Sequence, residues 1–561
     1  MSKPEESVYF VPLGGSGEIG MNLNLYGFGP EHDRKWIIVD CGVTFGDLST
    51  PGVDVILPDP RFIEDQKHNL LAIVLTHAHE DHMGAVAYLW ERLRCPIFAT
   101  PFTAYLMRDR LAERDLLGEA KVREIDLNGR FGIGPFDLEL ITLTHSIPEP
   151  NGLAIRTPAG LVLHTGDWKL DPDPLVGAPT DAEAIKALAK EGIMAMVCDS
   201  TNVFTPGEAG SEGDVRAELT KVIGEQKGRV AVAAFASHWL QLPARLETAV
   251  LAAEANGRRV CLLGRSMHRM AAAAKSVGLL QSCAPFIEED EAGYFPADKI
   301  AFVCTGSQGE PRAALSRIAN GDHPNITLGK GDTVIFSSRI IPGNERGIFD
   351  MMNRLAARGM TLITERDRAI HVSGHPCRDE LRQMYEWAKP RVAIPVHGET
   401  RHLIEHADYA KKLGIKQALI PKNGAVIEIN AQGARIIDET PAGRLHLDGN
   451  VIVAADAPSM RERRKLAYAG AITVAMAISG KGEIISGPDI RVIGVPDAHE
   501  MEQEDFLDAM ADAAERAFAA LGKKARRDED EVEEAVRRAV RREANRLWGK
   551  KPVVEAMVLM T

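Results

Sequence analysis

The stretch Thr76-His77-Ala78-His79-Glu80-Asp81-His82 closes the apolar run LLAIVLTHAH (70–79) and decides how the rest of the chain is read. A run of this length and β-branched content predicts a strand. Residues i and i+2 at a strand end project the same way, about 6–7 Å apart, so His77 and His79 can share one metal ion. Asp81 and His82 lie past the turn, at the start of a following helix, where they can serve a second ion. Imidazoles with a carboxylate form a ligand set for zinc or manganese. Three histidines and an aspartate within six residues are hard to place in an ordinary core.

Working outward, VYFVPL (8–13), MNLNLYGF (21–28), WIIVDCG (36–42), FDLELITLTH (136–145), GLAIRTP (152–158) and GLVLHTGD (160–167) read as strands, with helical periodicity in 84–93 and 103–114. His145, Asp167 and His397 (in RVAIPVHG, 391–398) each fall at the end of an expected strand, which suggests convergence on one sheet edge. His164 fits packing. From about 204, apolar strands alternate with helices (228–237, 243–255, 258–264, 299–307, 332–338), the pattern of a parallel sheet covered on both faces. Short β-runs return from about 361. After 450 come strands at 471–480 and 490–495 and a long helix over 496–521. In DEDEVEEAVRRAVRREANRLWGKK acids precede bases, which complements a helix dipole; its RRAVRREANR stretch could touch RNA phosphates but reads first as a solvated helix face.

With 561 residues the chain exceeds one compact domain, at roughly 100–200 residues per domain. Its 45% hydrophobic and 26% charged residues exclude a disordered or fibrous chain, and a net charge of −13 argues against a protein that coats nucleic acid by bulk attraction. No run reaches the roughly 18 apolar residues that span a bilayer. The opening MSKPEESVYF lacks the pattern of a secretory signal. Seven scattered cysteines without a C-x-x-C pair fit a reduced compartment and do not suggest a thiolate zinc site. The expectation is a cytoplasmic protein with no membrane partner.

H-x-H-x-D-H followed by separate His, Asp and His positions resembles the metallo-β-lactamase superfamily. C-D-S-T-N (198–202), the α/β insert, H-V-S-G-H (371–375) and P-V-H-G-E (395–399) resemble its β-CASP branch. L-G-G-S-G-E-I-G-M-N (13–22), T-G-S-Q-G-E-P (305–311) and S-S-R-I-I-P-G-N-E (337–345) look like the ribonuclease J family. The resemblance runs the length of the chain in matching order. It implies an α/β fold: a four-layer αββα metallo-β-lactamase sandwich (1–203 and 361–450), an inserted parallel α/β β-CASP domain (204–360), and a linker with a small α+β C-terminal domain (451–561). It further implies two divalent ions per chain, zinc first and manganese or magnesium as alternatives. His77, His79 and His145 would bind one ion, Asp81, His82 and His397 the other, with Asp167 bridging and Asp40 in support.

The same resemblance implies hydrolysis of RNA phosphodiester bonds: a 5′→3′ exonuclease preferring 5′-monophosphate ends, with endonuclease activity besides, in mRNA decay and rRNA maturation. Asp81, Asp167 and His375 would be catalytic, His375 as proton donor. His371, Val372, Ser373, Gly374 and His375, completed by Ser237, would form a phosphate pocket, and Phe45 could stack a base or simply pack. Expected partners are single-stranded RNA, a second copy in a homodimer or homotetramer, and an RNA helicase or other degradosome-type protein. Two departures stand out. Ala78 replaces a usual glycine, and the segment after Phe235-Ala236-Ser237 strays from the family pattern.

Three other readings compete. Gly15-Ser16-Gly17-Glu18-Ile19-Gly20 satisfies G-x-G-x-x-G, but a strand is expected next where a dinucleotide site needs a helix. Another hydrolase of the superfamily could use the first metal motif, yet would not need the insert or H-V-S-G-H. A non-catalytic RNA-processing scaffold is the third, disfavoured by the complete ligand set.

Overall fold

The computed structural model describes residues 6–47, 49–233, 243–276, 278–340, 344–496 and 503–561. Contacts divide the chain into two compact units: Met1–Thr44 with Ile56–Arg444, and Phe45–Val55 with Leu445–Thr561.

In the first unit two sheets pack face to face. One runs in the order Gly433–Glu439, Ala425–Asn430, Ser7–Gly14, Leu23–Phe28, Lys35–Cys41, Leu70–Val74, Ile97–Ala99, Val122–Glu124. The other runs Arg130–Ile133, Phe136–Thr142, Asn151–Thr157, Gly160–His164, Ile193–Asp199, Val392–Val396, Gln417–Ala418. Phe10, Tyr26, Ile37, Val39 and Val74 from the first sheet meet Leu138, Leu153, Ile155, Val197 and Ile394 from the second in a shared buried core. Strand Ile193–Asp199 is buried along its whole length because its other face meets helices Ala182–Glu191 and Arg378–Ala388, through Ile185, Leu188, Leu381 and Met384. Helix Pro101–Ala112 packs along the far edge of the first sheet. The result is the αββα sandwich.

The insert carries five parallel strands in the order Arg259–Leu263, Ile300–Cys304, Val230–Ala233, Thr333–Phe336, Thr361–Ile363. All four residues of Val230–Ala233 and of Thr333–Phe336 are buried, as expected of a sheet with helices on its faces. Sequence patterning placed the first four of these strands to within a few residues; Thr361–Ile363, expected where the sandwich resumes at 361, instead edges the insert's sheet. Patterning did not anticipate helices Arg378–Ala388 and Thr400–Lys412, where only short β-runs were expected, although their buried residues recur at helical spacing (381, 384, 385, 388 and 403, 406, 407, 410).

In the second unit, strands Ile484–Ile493, Ala471–Ile478 and Val553–Met560 form a sheet in that order, and alternate residues of the central strand face helices Gln503–Ala520 and Glu529–Trp548. The final strand pairs in parallel with Ala471–Ile478, a pairing that chain-end sequence does not advertise. On helix Glu529–Trp548, Arg537 and Arg538 pair with Glu534, and Arg546 with Glu543, which fits a solvated face. No helix among the described residues is long and apolar enough to cross a membrane.

Phe302, 1% exposed, sits at the centre of the insert's core. Phe302→Ala should cost about 3–5 kcal/mol by removing a buried aromatic ring. Denaturant unfolding of the intact chain checks this; a loss below about 1 kcal/mol would mean the insert's core lies elsewhere.

Candidate metal centre

The expected ligands come together at one edge of the paired sheets. His77 and His79 do not occupy the strand itself, as the i, i+2 reading supposed. Strand Leu70–Val74 ends earlier, and both lie in the loop 75–79 that leads into helix Glu80–Met83. The loop still turns both rings inward, with His77 Nε2 2.9 Å from His79 Nδ1. His145 follows Phe136–Thr142, and its Nε2 lies 3.0 Å from His79 Nδ1. Three imidazole nitrogens at this spacing fit one ion, since tetrahedral zinc ligands stand roughly 3.3 Å apart. Asp167, past the end of Gly160–His164, lies 3.8 Å from His145 Nε2, 3.1 Å from His82 Nε2 and 3.3 Å from His397 Nδ1. Asp81 lies 3.7 Å from His82 Nε2 and 3.5 Å from His397 Nε2. Two potential ligand sets follow, His77/His79/His145/Asp167 and Asp81/His82/Asp167/His397, joined by Asp167.

Surrounding groups fix the tautomers. The Thr76 hydroxyl donates to Asp40 Oδ2 (2.8 Å), which leaves its oxygen to accept from His77 Nδ1 (2.9 Å). His82 Nδ1 donates to the same Asp40 carboxylate (2.7 Å), and His145 Nδ1 donates to the Gly374 carbonyl. All three rings therefore present Nε2 lone pairs to the centre, the arrangement of metal-bound histidines. Burial first, and then neighbouring imidazoles, hold His77 and His79 well below the usual imidazole range, and His145 down to about 3. They are neutral donors. Burial would raise the Asp167 carboxyl, but His397, His82 and His375 overcome it and hold it well below its usual range. Its Oδ1 is buried with no hydrogen-bond partner among the described residues, as a metal-facing oxygen would be. The donor set fits divalent ions.

The backbone is held as tightly as the ligands. Asp40 and His397 adopt positive φ, 63° and 51°, which is strained for residues with a Cβ and is found where surrounding structure over-determines a site. The His397 amide donates to Gly15 O (2.7 Å), and the Asn22 amide nitrogen donates to Asp81 O (2.9 Å). A Cβ on Gly42 would sit 1.7 Å from the Asp81 carbonyl oxygen, so only glycine permits this approach. Gly15, Gly17 and Gly20 all have positive φ before strand Leu23–Phe28, so the G-x-G-x-x-G segment is a turn between strands and not a dinucleotide loop. Ala78 is buried without disturbing the loop, and His164 packs against Tyr26, its Nδ1 2.9 Å from the hydroxyl.

Beside the ligands, His375 Nδ1 lies 2.8 Å from Asp199 Oδ2 and 3.8 Å from Asp167 Oδ2. Burial works against its charged form, but Asp199 and Asp167 outweigh it and raise His375 to about 9. Ser373 Oγ accepts from Asn202 Nδ2 (2.6 Å) and from the His375 amide (3.2 Å), so its own proton is spent in neither bond. A Cβ on Gly374 would lie 2.7 Å from the His145 ring. Val372 lies against Gly210. Burial, then the charges of Arg245, Arg339 and Lys169, hold His371 well below its usual range. Asp199 and Asn202 were quoted in C-D-S-T-N without a role; the apolar strand ending at Asp199 carries the same signal that singled out Asp167. Asn22, whose side chain reaches both His82 Nε2 (3.1 Å) and His397 Nδ1 (3.0 Å), offers no sequence signal. Ser237 lies outside the described residues. Phe45 is half-buried and belongs to the second unit.

Comparison with known proteins identifies the family. A sequence model of the metallo-beta-lactamase superfamily matches residues 29–224, and one of the ribonuclease J beta-CASP domain matches 227–355. The Zn-dependent metallo-hydrolase RNA specificity domain matches 362–421, and the ribonuclease J C-terminal domain matches 458–561. A ribonuclease J from Sinorhizobium meliloti is 44% identical over 554 residues, covering 99% of this chain and 97% of the relative. One from Corynebacterium glutamicum is 37% identical, covering 99% and 76%, and a ribonuclease J 1 from Streptococcus pyogenes is 38% identical, covering 87% and 86%. A crystal structure of a protein of unknown function from Enterococcus faecalis V583 shares the fold at a TM-score of 0.51 and 17% identity, covering 75% of this chain and 100% of that one. Four domain models in chain order, with 44% identity over nearly the full length of a relative, show that the chain belongs to the ribonuclease J family of the metallo-β-lactamase superfamily.

Proposed function

We propose that this protein is a metal-dependent ribonuclease that hydrolyses RNA phosphodiester bonds, working 5′→3′ from 5′-monophosphate ends and also cutting internally. The observation that carries the reading is Asp167, buried and shared between two complete ligand sets beside a histidine–aspartate pair. A non-catalytic scaffold has no use for that arrangement.

His77, His79, His145 and Asp167 would hold one divalent ion, zinc first among the candidates, and Asp81, His82, His397 and Asp167 the other. Ions held there supply the acidification of water and the neutralisation of phosphoryl charge that phosphodiester hydrolysis needs. His375 is the proton donor. Asp199 fixes its Nδ1, no described residue hydrogen-bonds its Nε2, and the raised pKa keeps the ring protonated near neutral pH. Water gives up a proton to solvent and adds through oxygen to phosphorus, the bond to the upstream 3′ oxygen breaks, and that oxygen takes the His375 proton, leaving a 5′ phosphate downstream. Ser373, with a hydroxyl proton to donate, and the neutral His371 in a cationic setting suit a terminal phosphate on the RNA.

Three outcomes are expected. Metal analysis should find about two divalent ions per chain and EDTA should abolish RNA cleavage, while Asp40→Asn, which loosens His82 and Thr76, should weaken metal affinity about 10–100-fold. A metal-free protein with full activity sinks the reading. Ser373→Ala should depress turnover of 5′-monophosphorylated RNA at least tenfold while leaving cleavage of circular RNA within about twofold, and equal losses would count against the pocket. The donor must be protonated, so activity should fall as pH rises through the His375 pKa. Asp199→Asn removes the main raising charge and should move that alkaline limb to lower pH; an unmoved pH–rate profile removes His375 from the role.

A further inference from the structure

Arg245 stands on helix Pro243–Ala255 of the insert, is 7% exposed, and among the described residues bonds to none of the candidate metal ligands. Its Nη2 donates to both carboxylate oxygens of Glu212 (2.7 and 2.8 Å). Its Nη1 donates to Ser337 Oγ (2.6 Å) and to the carbonyl oxygen of Ile370 (2.9 Å). Ser337, just past strand Thr333–Phe336, donates its own hydroxyl to the same carbonyl at 2.8 Å. Ile370 is fully buried and is the residue immediately before His371-Val372-Ser373-Gly374-His375. Two residues earlier, Arg368 pairs with Glu218 on helix Glu212–Gly224 and with Glu225, which caps that helix.

Cohesion alone does not explain this cluster. A buried ion pair costs desolvation, and a packed apolar pair would join the same helices as well. What an apolar pair lacks is a donor aimed at one backbone carbonyl. The guanidinium fork can neutralise itself on Glu212 with one nitrogen and hold Ile370 with the other. Glu212 is anchored in turn: its amide donates to Asp171 Oδ2 (2.9 Å), which pairs with the fully buried Lys169 (2.8 Å). The peptide that leads into the pocket is thus held by two donors from the insert, both on side chains buried from water.

We propose that Arg245 is a positioning residue: through the Ile370 carbonyl, the insert sets the backbone of His371–His375 and so the affinity for the phosphate at an RNA 5′ end. This rests on reading His371–His375 as a phosphate pocket. Lysine at 245 would balance Glu212 but could not reach both partners as a fork, and Ser337→Ala removes one of the two donors to Ile370 with little change in volume. The test is steady-state hydrolysis of one RNA carrying either a 5′ monophosphate or a 5′ hydroxyl, with bound metal measured on each protein. Arg245→Lys should raise KM for the monophosphorylated RNA at least tenfold, with kcat within about twofold, metal content unchanged and KM for the hydroxyl end changed less than threefold. Ser337→Ala should show the same pattern at about threefold, and decides the matter if Arg245→Lys does not fold. Variants that match a discriminating wild type, or that raise both KM values equally, overturn the inference while leaving the pocket standing. A wild type that does not distinguish the two ends overturns the pocket reading and this inference with it.

Discussion

Everything at the centre depends on one buried carboxylate. Asp167 is 2% exposed and belongs to all three groupings of potential ligands, with His77, His79 and His145, with Asp81, His82 and His397, and with Asp199 and His375. Three aspartates and six imidazoles in a largely buried space, with only Asp81 and His375 partly exposed, make a poor hydrophobic core and an unstable charge cluster unless cations balance it. The pKa directions show the imbalance: Asp81 is pushed up by burial and by Asp167, while His82 is raised well above its usual range against its own burial by Asp167, Asp81 and Asp40. Divalent ions resolve both demands at once. The sandwich exists, on this view, to bring strand ends from two sheets to a single point.

Those strand ends explain what could be read before any coordinates. An apolar strand followed by a turn delivers its last polar residues to the sheet edge, so His145, Asp167 and His397 carry a visible signal even though they are 252 positions apart end to end (397 − 145). The i, i+2 rule names two rings that do lie side by side, but not for the reason it gives, since His77 and His79 are turned inward by the loop and by the helix that starts at Glu80. Periodicity recovered the insert's strands for a simple cause: a strand buried on both faces is apolar throughout.

What stayed hidden are contacts set by tertiary approach. Asn22 is one of two asparagines in M-N-L-N-L, and only the return of residues 81, 82 and 397 to its side chain makes it different from Asn24. Gly42 looks like any strand-end glycine until Asp81 O is seen against its Cα. Arg245 meets Glu212, Ser337 and Ile370 across separations of 33, 92 and 125 residues. No local pattern encodes such meetings, because the partner is chosen by packing and not by spacing.

The charge of −13 is best understood through location. Acidic balance spread over an exterior repels phosphate weakly, because exposed charges are screened within about 10 Å at ordinary salt. Attraction needs only a few cations placed where screening fails. Lys169 is fully buried, Arg245 nearly so, and with Arg339 they add to the burial that holds His371 well below its usual range. Each buried cation has its own carboxylate, Lys169 with Asp171 and Arg245, through Nη2, with both oxygens of Glu212. A chain that is acidic overall can therefore place charged donors locally, beside the candidate metal site, without a basic exterior. That combination suits an enzyme gripping one strand at one point better than it suits a protein that coats RNA.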